Sequence, residues 1–273
     1  MFLRCGTFNL DISTPRIMGI VNITPDSFSD GGQHLKQNAA LAHAHQLIQA
    51  GADILDIGGE STRPGAVAIS MQEELDRVMP LIEALRDAPI PLSIDTSKPA
   101  VMRAAIAAGV SMVNDINALQ QSEALAIVAA SKVAVCLMHK RGNSQTMQQQ
   151  AEYQDVVAEV QQFLRERVAA VQAAGIAPQR VIIDPGFGFG KTLEHNITLL
   201  QHLAAFTEMG VPLLVGLSRK SMLGAITGQD VGSRVYASAA AALLAVQRGA
   251  NIVRVHDVQA TRDALKILDA ATL

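Results

Sequence analysis

Three oxygen-bearing side chains stand just where short β-branched runs end. Asp95 closes "LSID", Asn114 closes "SMVN" and Asp184 closes "VIID". Such a group is half-buried at a strand end. Its desolvation is offset only by a partner rich in hydrogen-bond donors. No cation neighbours Asp184 in sequence, where "PGFGFG" follows. The three together point to a neutral ring carrying several N–H groups. Cations form a second set: Arg63, Lys220 and Arg254, with His256. A guanidinium forks onto phosphate oxygens, so this set points to a phosphate-bearing group. Arg254 and His256 are two residues apart and share one face of a strand. A purely local explanation would pair Arg254 with Asp257 or Glu60. Asp115 and Asp257 read as helix caps.

The elements that must position these residues follow from periodicity. Strand-like runs occupy Arg16–Val21, Asp53–Ile57, Pro91–Ile94, Ser111–Val113, Val133–Leu137, Val181–Ile183, Pro212–Leu217 and Asn251–Val255. Several are almost wholly apolar, as strands buried on both faces are. Helical stretches lie between them, such as Asn38–Ala50, Met71–Arg86, Pro99–Ala108, Glu152–Ala174 and Ser233–Arg248. Gly51, Gly109, Gly175, Gly210 and Gly249 sit where helices should close. Eight alternating units predict an α/β fold of the (β/α)8 barrel type, one domain over residues 1–273. Phe2–Thr7 fits no unit and is expected to form a small hairpin capping the barrel floor. An open doubly wound sheet is disfavoured, because no G-x-G-x-x-G follows the first strand. In a barrel, all the strand ends named above face one mouth.

Composition narrows the function. The 273 residues carry a net charge of −3 and 3% aromatics, which speaks against nucleic acid as a partner. No apolar run is long enough to cross a bilayer, so no membrane partner is expected. Cys5 and Cys136 stand outside any paired spacing and read as reduced thiols of a cytoplasmic protein. "PGFGFGKT" (Pro185–Thr192) approaches a phosphate-binding loop but begins with Pro, so a mobile or ligand-covering glycine turn is expected. "GLSRK" (Gly216–Lys220) lacks the second glycine of a nucleophile elbow. His43 and His45 face different sides of a helix, and His139 reads as packing at a strand end.

At this point the motifs "GIVNITPDSFSDGG", "DIGGESTRPGA", "SIDTSKP", "VNDI", "CLMH", "DPGFGFGK", "GLSRKSMLG" and "IVRVHDV" resemble those of the dihydropteroate synthase family. They span Gly19 to Val258, nearly the whole chain. The resemblance implies a homodimeric (β/α)8 barrel. It would join 4-aminobenzoate to (7,8-dihydropterin-6-yl)methyl diphosphate with Mg2+, lose diphosphate dissociatively and be inhibited by sulfonamides. It also implies residue roles. Asp95, Asn114, Met138, Asp184, Phe189 and Lys220 would surround the pterin. Asn22, Thr62, Arg63, Arg254 and His256 would meet the diphosphate, with Asn22 on the metal. Phe28, Thr62, Arg63, Pro64 and Ser221 would surround the aminobenzoate. Asp95, Lys220, Arg63, Arg254 and His256 would act in catalysis. Residues Thr24–Gln33 then read as a lid. Lys140 and Ser144 depart from the family pattern, which touches local loop shape.

Other readings make different demands. A methyltetrahydrofolate-binding methyltransferase would share the acid and amide pocket but would not need "TPDSFSDGG", or Arg63 together with Arg254. A silent pterin-binding paralogue should have lost diphosphate or aminobenzoate positions. An aldolase-type barrel needs a Schiff-base lysine at a strand end, whereas Lys220 falls in a loop.

Overall fold

The computed structural model describes residues 1–23, 33–61, 66–142 and 151–271, with the backbone alone for residues 33–36. Phe28, Thr62, Arg63, Pro64 and Ser144 lie outside these residues, as does the expected lid up to Gly32.

A two-stranded antiparallel hairpin, β1 (Phe2–Cys5) and β2 (Phe8–Asp11), opens the chain. It runs past the expected Thr7, because Gly6, at φ 59°, turns the chain between the strands. Eight parallel strands follow: β3 (Arg16–Asn22), β4 (Ile54–Gly58), β5 (Leu92–Asp95), β6 (Met112–Asp115), β7 (Ala134–Met138), β8 (Val181–Asp184), β9 (Leu214–Val215) and β10 (Ile252–Val255). Their order is β8-β7-β6-β5-β4-β3-β10-β9. A parallel bridge between Ile183 and Leu213 brings β8 and β9 together and closes the ring. The strand expected over Pro212–Leu217 contracts to two residues. The Leu213 N–H donates instead to Asn251 Oδ1 (2.9 Å), so a side chain takes a ladder position.

Nine helices of the described residues cover the outside: α1 (Gln33–Gln49), α2 (Met71–Ala84), α3 (Pro99–Ala107), α4 (Ser122–Ala129), α5 (Val156–Ala173), α6 (Leu193–Gln201), α7 (Ser221–Thr227), α8 (Val235–Gln247) and α9 (Val258–Ala271). Their starts are chemical. Ser70 Oγ accepts the Glu73 N–H at α2. Asp155 Oδ1 accepts from Val157 and Ala158, both at 3.0 Å, and so delays α5 from the expected Glu152 to Val156. Gly51, Gly109, Gly175 and Gly249 all take left-handed φ after their helices, while Gly210 closes a short 3-10 turn, Leu203–Met209. Asp115 caps no helix. Its two oxygens accept from Asn117 and Leu119 (2.8 and 2.9 Å) and hold a tight turn ahead of α4.

Two apolar bodies result. One packs the outer faces of the strands against the helices. The other fills the lower barrel with Met18, Ile54, Met112, Ile182, Leu214 and Ile252 from the strands and Leu3, Cys5 and Ile12 from the hairpin end, so the hairpin does plug the floor. Both cysteines are buried free thiols in that body, and burial pushes the Cys5 thiol up to about 12.

Candidate active site

Strand parity assembles the site. Met18, Ile54, Met112, Cys136, Ile182, Leu214 and Ile252 point into the barrel, and residues two further along each strand point the same way. That rule lines the mouth with Asn22, Gly58, Asn114, Met138, Asp184, Gly216, Arg254 and His256. Asp95 joins them, in register with Gly58 on one side and Asn114 on the other. A Cβ at Gly58 would stand 3.5 Å from both Asn22 Oδ1 and Asp95 Cβ, in ordinary contact with these side chains.

Arg254 does not pair with Asp257 or Glu60. Its Nε donates to Asp56 Oδ2 (2.6 Å) and its Nη2 to Asp95 Oδ2 (2.7 Å). Asn114 Nδ2 also donates to Asp56 Oδ2 (3.0 Å). The two local candidates are engaged elsewhere: Asp257 receives both prongs of Arg219, and Glu60 holds Lys98. Burial pushes the Asp95 pKa up, and Asp56, Glu74 and Asp115 push it further, while Arg254 draws it down. The direct charge-assisted contact to Arg254 favours the ionised carboxylate. Asp56 is wholly buried and was not singled out from sequence. Its signal was the parity of "ILDIGG": Asp56 sits two residues before Gly58, on the inner face of an otherwise apolar run.

Asn114 and Asp184 are more deeply buried than strand-end placement suggests, at 5% and 6% exposure. Asp184 Oδ1 accepts the Gly186 N–H (2.7 Å). Burial raises its pKa, opposed by that bond and by the nearby Lys220, Lys191 and Arg254. Cations therefore do approach Asp184, from other segments of the chain. Phe189 lies across from them, with Lys220 Nζ over its ring at 4.0 Å from the centroid. Met138 is buried at the end of β7, paired in register with Asp184.

The glycine turn after β8 is built firmly. Lys191, 2% exposed, donates inward to Gly186 O (2.9 Å), Phe189 O (3.1 Å) and His139 Nδ1 (2.9 Å). Its near-match to a phosphate loop is thus deceptive, because its carbonyls wrap its own lysine. Burial, with Lys191 and Arg141 alongside, lowers the His139 pKa to about 2, so the imidazole is a neutral acceptor. His139 packs edge-on to Phe163 (5.0 Å), the structural role expected of it.

On the opposite rim, the His256 backbone N–H donates to Ser218 Oγ (3.1 Å), and that hydroxyl lies 3.0 Å from His256 Nδ1. With Ser218 as donor to Nδ1, a neutral imidazole carries its proton on Nε2. Arg219 takes φ 57°, rare for a side-chain-bearing residue. Asp257 holds it bidentately at 3.0 and 2.6 Å, and Ser238 Oγ accepts its backbone N–H (3.0 Å). This strained turn delivers Lys220 and Ser221 to the start of α7. Asp257 therefore anchors that turn and does not cap α9 with its side chain. Among the described residues, no cluster of three His, Cys, Asp or Glu side chains could hold a metal.

Comparison with known proteins defines the class. The family of pterin binding enzymes matches residues 18–256. The dihydropteroate synthase of Neisseria meningitidis serogroup C is 53% identical over 98% of this chain and 96% of its own length. The structure of Xanthomonas albilineans dihydropteroate synthase with 4-aminobenzoic acid superposes with a TM-score of 0.94 at 54% identity, covering 99% of this chain and 98% of that one. A Yersinia pestis dihydropteroate synthase in a sulfonamide drug complex gives a TM-score of 0.94 at 47% identity, covering 100% and 99%. The chain belongs to the pterin binding enzymes and, within them, to the dihydropteroate synthases.

Proposed function

We propose that this chain condenses (7,8-dihydropterin-6-yl)methyl diphosphate with 4-aminobenzoate, giving 7,8-dihydropteroate and diphosphate. The observation that carries the reading is the inner face of the mouth. Buried Asp184 and Asn114 and half-buried Asp95 offer oxygen acceptors to a donor-rich ring, while Arg254 and His256 stand beside them. In this reading Asp184 and Asn114 hold the pterin edge, and Phe189, Met138 and Lys220 wall the ring.

The chemistry follows from charge placement. Diphosphate departs as C–O cleavage leaves a positive charge shared between the methylene and the pterin. Asp95 stabilises that charge, and Arg254, His256 and Arg63 stabilise the leaving oxygens. Arg254 is held by Asp56 and Asp95 in this structure. In this reading the Arg254 contact keeps Asp95 ionised beside the developing cation, while the remaining N–H groups of the guanidinium turn to the phosphates. The arylamine attacks the methylene and then loses its proton, so no Ser or Cys nucleophile is required. Phe28, Thr62, Arg63, Pro64 and Ser221 are assigned to the aminobenzoate side, where sulfonamides would compete. Such a compound occupies the Yersinia pestis relative.

The donor set fits Mg2+. Asn22 brings one neutral oxygen to the mouth, and among the described residues no cluster of three His, Cys, Asp or Glu side chains stands around it, which suits an ion that keeps waters and takes phosphate oxygens. Mg2+ bound there would supply charge neutralisation on the diphosphate. We also assign the chain to a cytoplasmic homodimer; exposed Tyr236 and Leu244, two turns apart on α8, support a face for a second copy.

Asp184→Asn tests the pocket. The variant is expected to bind 6-hydroxymethylpterin at least about tenfold more weakly by calorimetry, the loss of one charge-assisted bond. Wild-type affinity in that variant would remove Asp184 from the site.

A further inference from the structure

The segment from Asp184 to Thr192 forms one wall of the proposed pterin pocket, and its shape is held both by its own Asp184 and Lys191 and by residues from other elements. It is supported from behind. Lys191 Nζ reaches the carbonyls of Gly186 and Phe189 and His139 Nδ1, with the His139 carbonyl farther off at 3.5 Å, so four acceptors surround its three N–H groups. Asn196, on α6, works from the other side. Its Oδ1 accepts the Gly188 N–H (2.7 Å), and its Nδ2 donates to Lys191 O (3.2 Å) and Thr192 O (2.6 Å). Tyr153 Oη adds a bond to Gly190 O (3.0 Å). All of these bonds except the one to His139 Nδ1 land on backbone, so together they fix where the wall stands.

The consequence runs through Phe189. Lys191 grips the Phe189 carbonyl, and the Phe189 ring carries Lys220 Nζ at 4.0 Å. A wall built this way is preformed, which spares the ordering cost when ligand arrives. We infer that Lys191, with Asn196, is a positioning residue for pterin recognition, acting on the ring through Phe189 and Lys220 without touching substrate. This deepens the pterin reading given above and rests on it.

The test uses the full chain and 6-hydroxymethylpterin, which lacks the diphosphate and cannot react. Lys191→Met keeps the stem and deletes the ammonium. Calorimetry should show about tenfold weaker binding, while the KM for 4-aminobenzoate stays within about twofold. In a Phe189→Leu background, Lys191→Met should weaken binding by less than about twofold, because the two act as one unit. A lysine that serves folding alone would lower Tm and leave the pterin Kd unchanged, and that result overturns the inference. Additive losses in the double variant overturn it as well. If Lys191→Met does not fold, Asn196→Ala decides: a pterin Kd equal to wild type overturns the inference, and a severalfold rise with an unchanged aminobenzoate KM supports it. A wild-type chain that ignores 6-hydroxymethylpterin sinks the functional reading together with this one. Wild-type binding with an unaltered Lys191→Met affinity sinks this one alone.

Discussion

Two carboxylates, Asp56 and Asp95, meet one guanidinium inside the barrel, at 2.6 and 2.7 Å from Arg254. Deleting the cation strands both acids in a low-dielectric site. Arg254→Ala should therefore lose stability as well as turnover, by about 3–5 kcal/mol in urea unfolding; a loss under about 1 kcal/mol would mean the pair is not buried as described. His139 makes a second residue-scale prediction. Burial lowers its folded pKa to about 2, from an unfolded value of 6.5. Below the unfolded value, the unfolded chain takes up a proton that the folded chain refuses, so this contribution is complete above that pH and declines as pH falls. Between about pH 7.5 and pH 5 the wild type should lose about 2 kcal/mol more than His139→Gln. Equal losses would show that His139 protonates in the fold. Sequence exposed Asp95, Asn114 and Asp184 because each stands at the end of its strand or, for Asn114, one residue before it. It concealed Asp56, which lies one inward step earlier in an apolar run, and Lys191, whose partners are backbone atoms brought together only by the fold.

Elements convert these residues into a site through parity and tight turns. Most strands and helix ends could be read from β-branched runs and closing glycines, since those signals are local. What escaped depended on distant atoms. β9 is short because Asn251 claims the Leu213 N–H. The hairpin continues to Asp11 by pairing with β1. The turn after Asp184, expected to be mobile or ligand-covering, has its backbone bonded by Lys191, Asn196 and Tyr153. Gly186 is its most exacting position: φ is +70°, and an added Cβ would lie 1.9 Å from the His139 carbonyl oxygen. Gly186→Ala should destabilise the chain by more than about 2 kcal/mol and weaken pterin binding, because backbone must move at a strained φ. A variant with wild-type unfolding midpoint and wild-type pterin affinity would contradict the loop geometry.

At the scale of the whole molecule, the barrel separates stability from chemistry. The floor is apolar and plugged by Leu3, Cys5 and Ile12, and the mouth gathers the polar strand ends. Eight repeats of one βα pattern made the architecture legible, and the architecture made the mouth legible. The proposed aminobenzoate side was legible as motif alone, because no hydrophobic periodicity runs through Phe28, Thr62, Arg63 and Pro64. The central claim is that one mouth holds the pterin, expels diphosphate and admits the arylamine. It is tested by incubating the chain with (7,8-dihydropterin-6-yl)methyl diphosphate, Mg2+ and 4-aminobenzoate while measuring diphosphate and 7,8-dihydropteroate together. The account predicts that the two appear in equal amounts and that omitting 4-aminobenzoate abolishes the pteroate. Diphosphate released without any pteroate product, in the presence of 4-aminobenzoate, would contradict it.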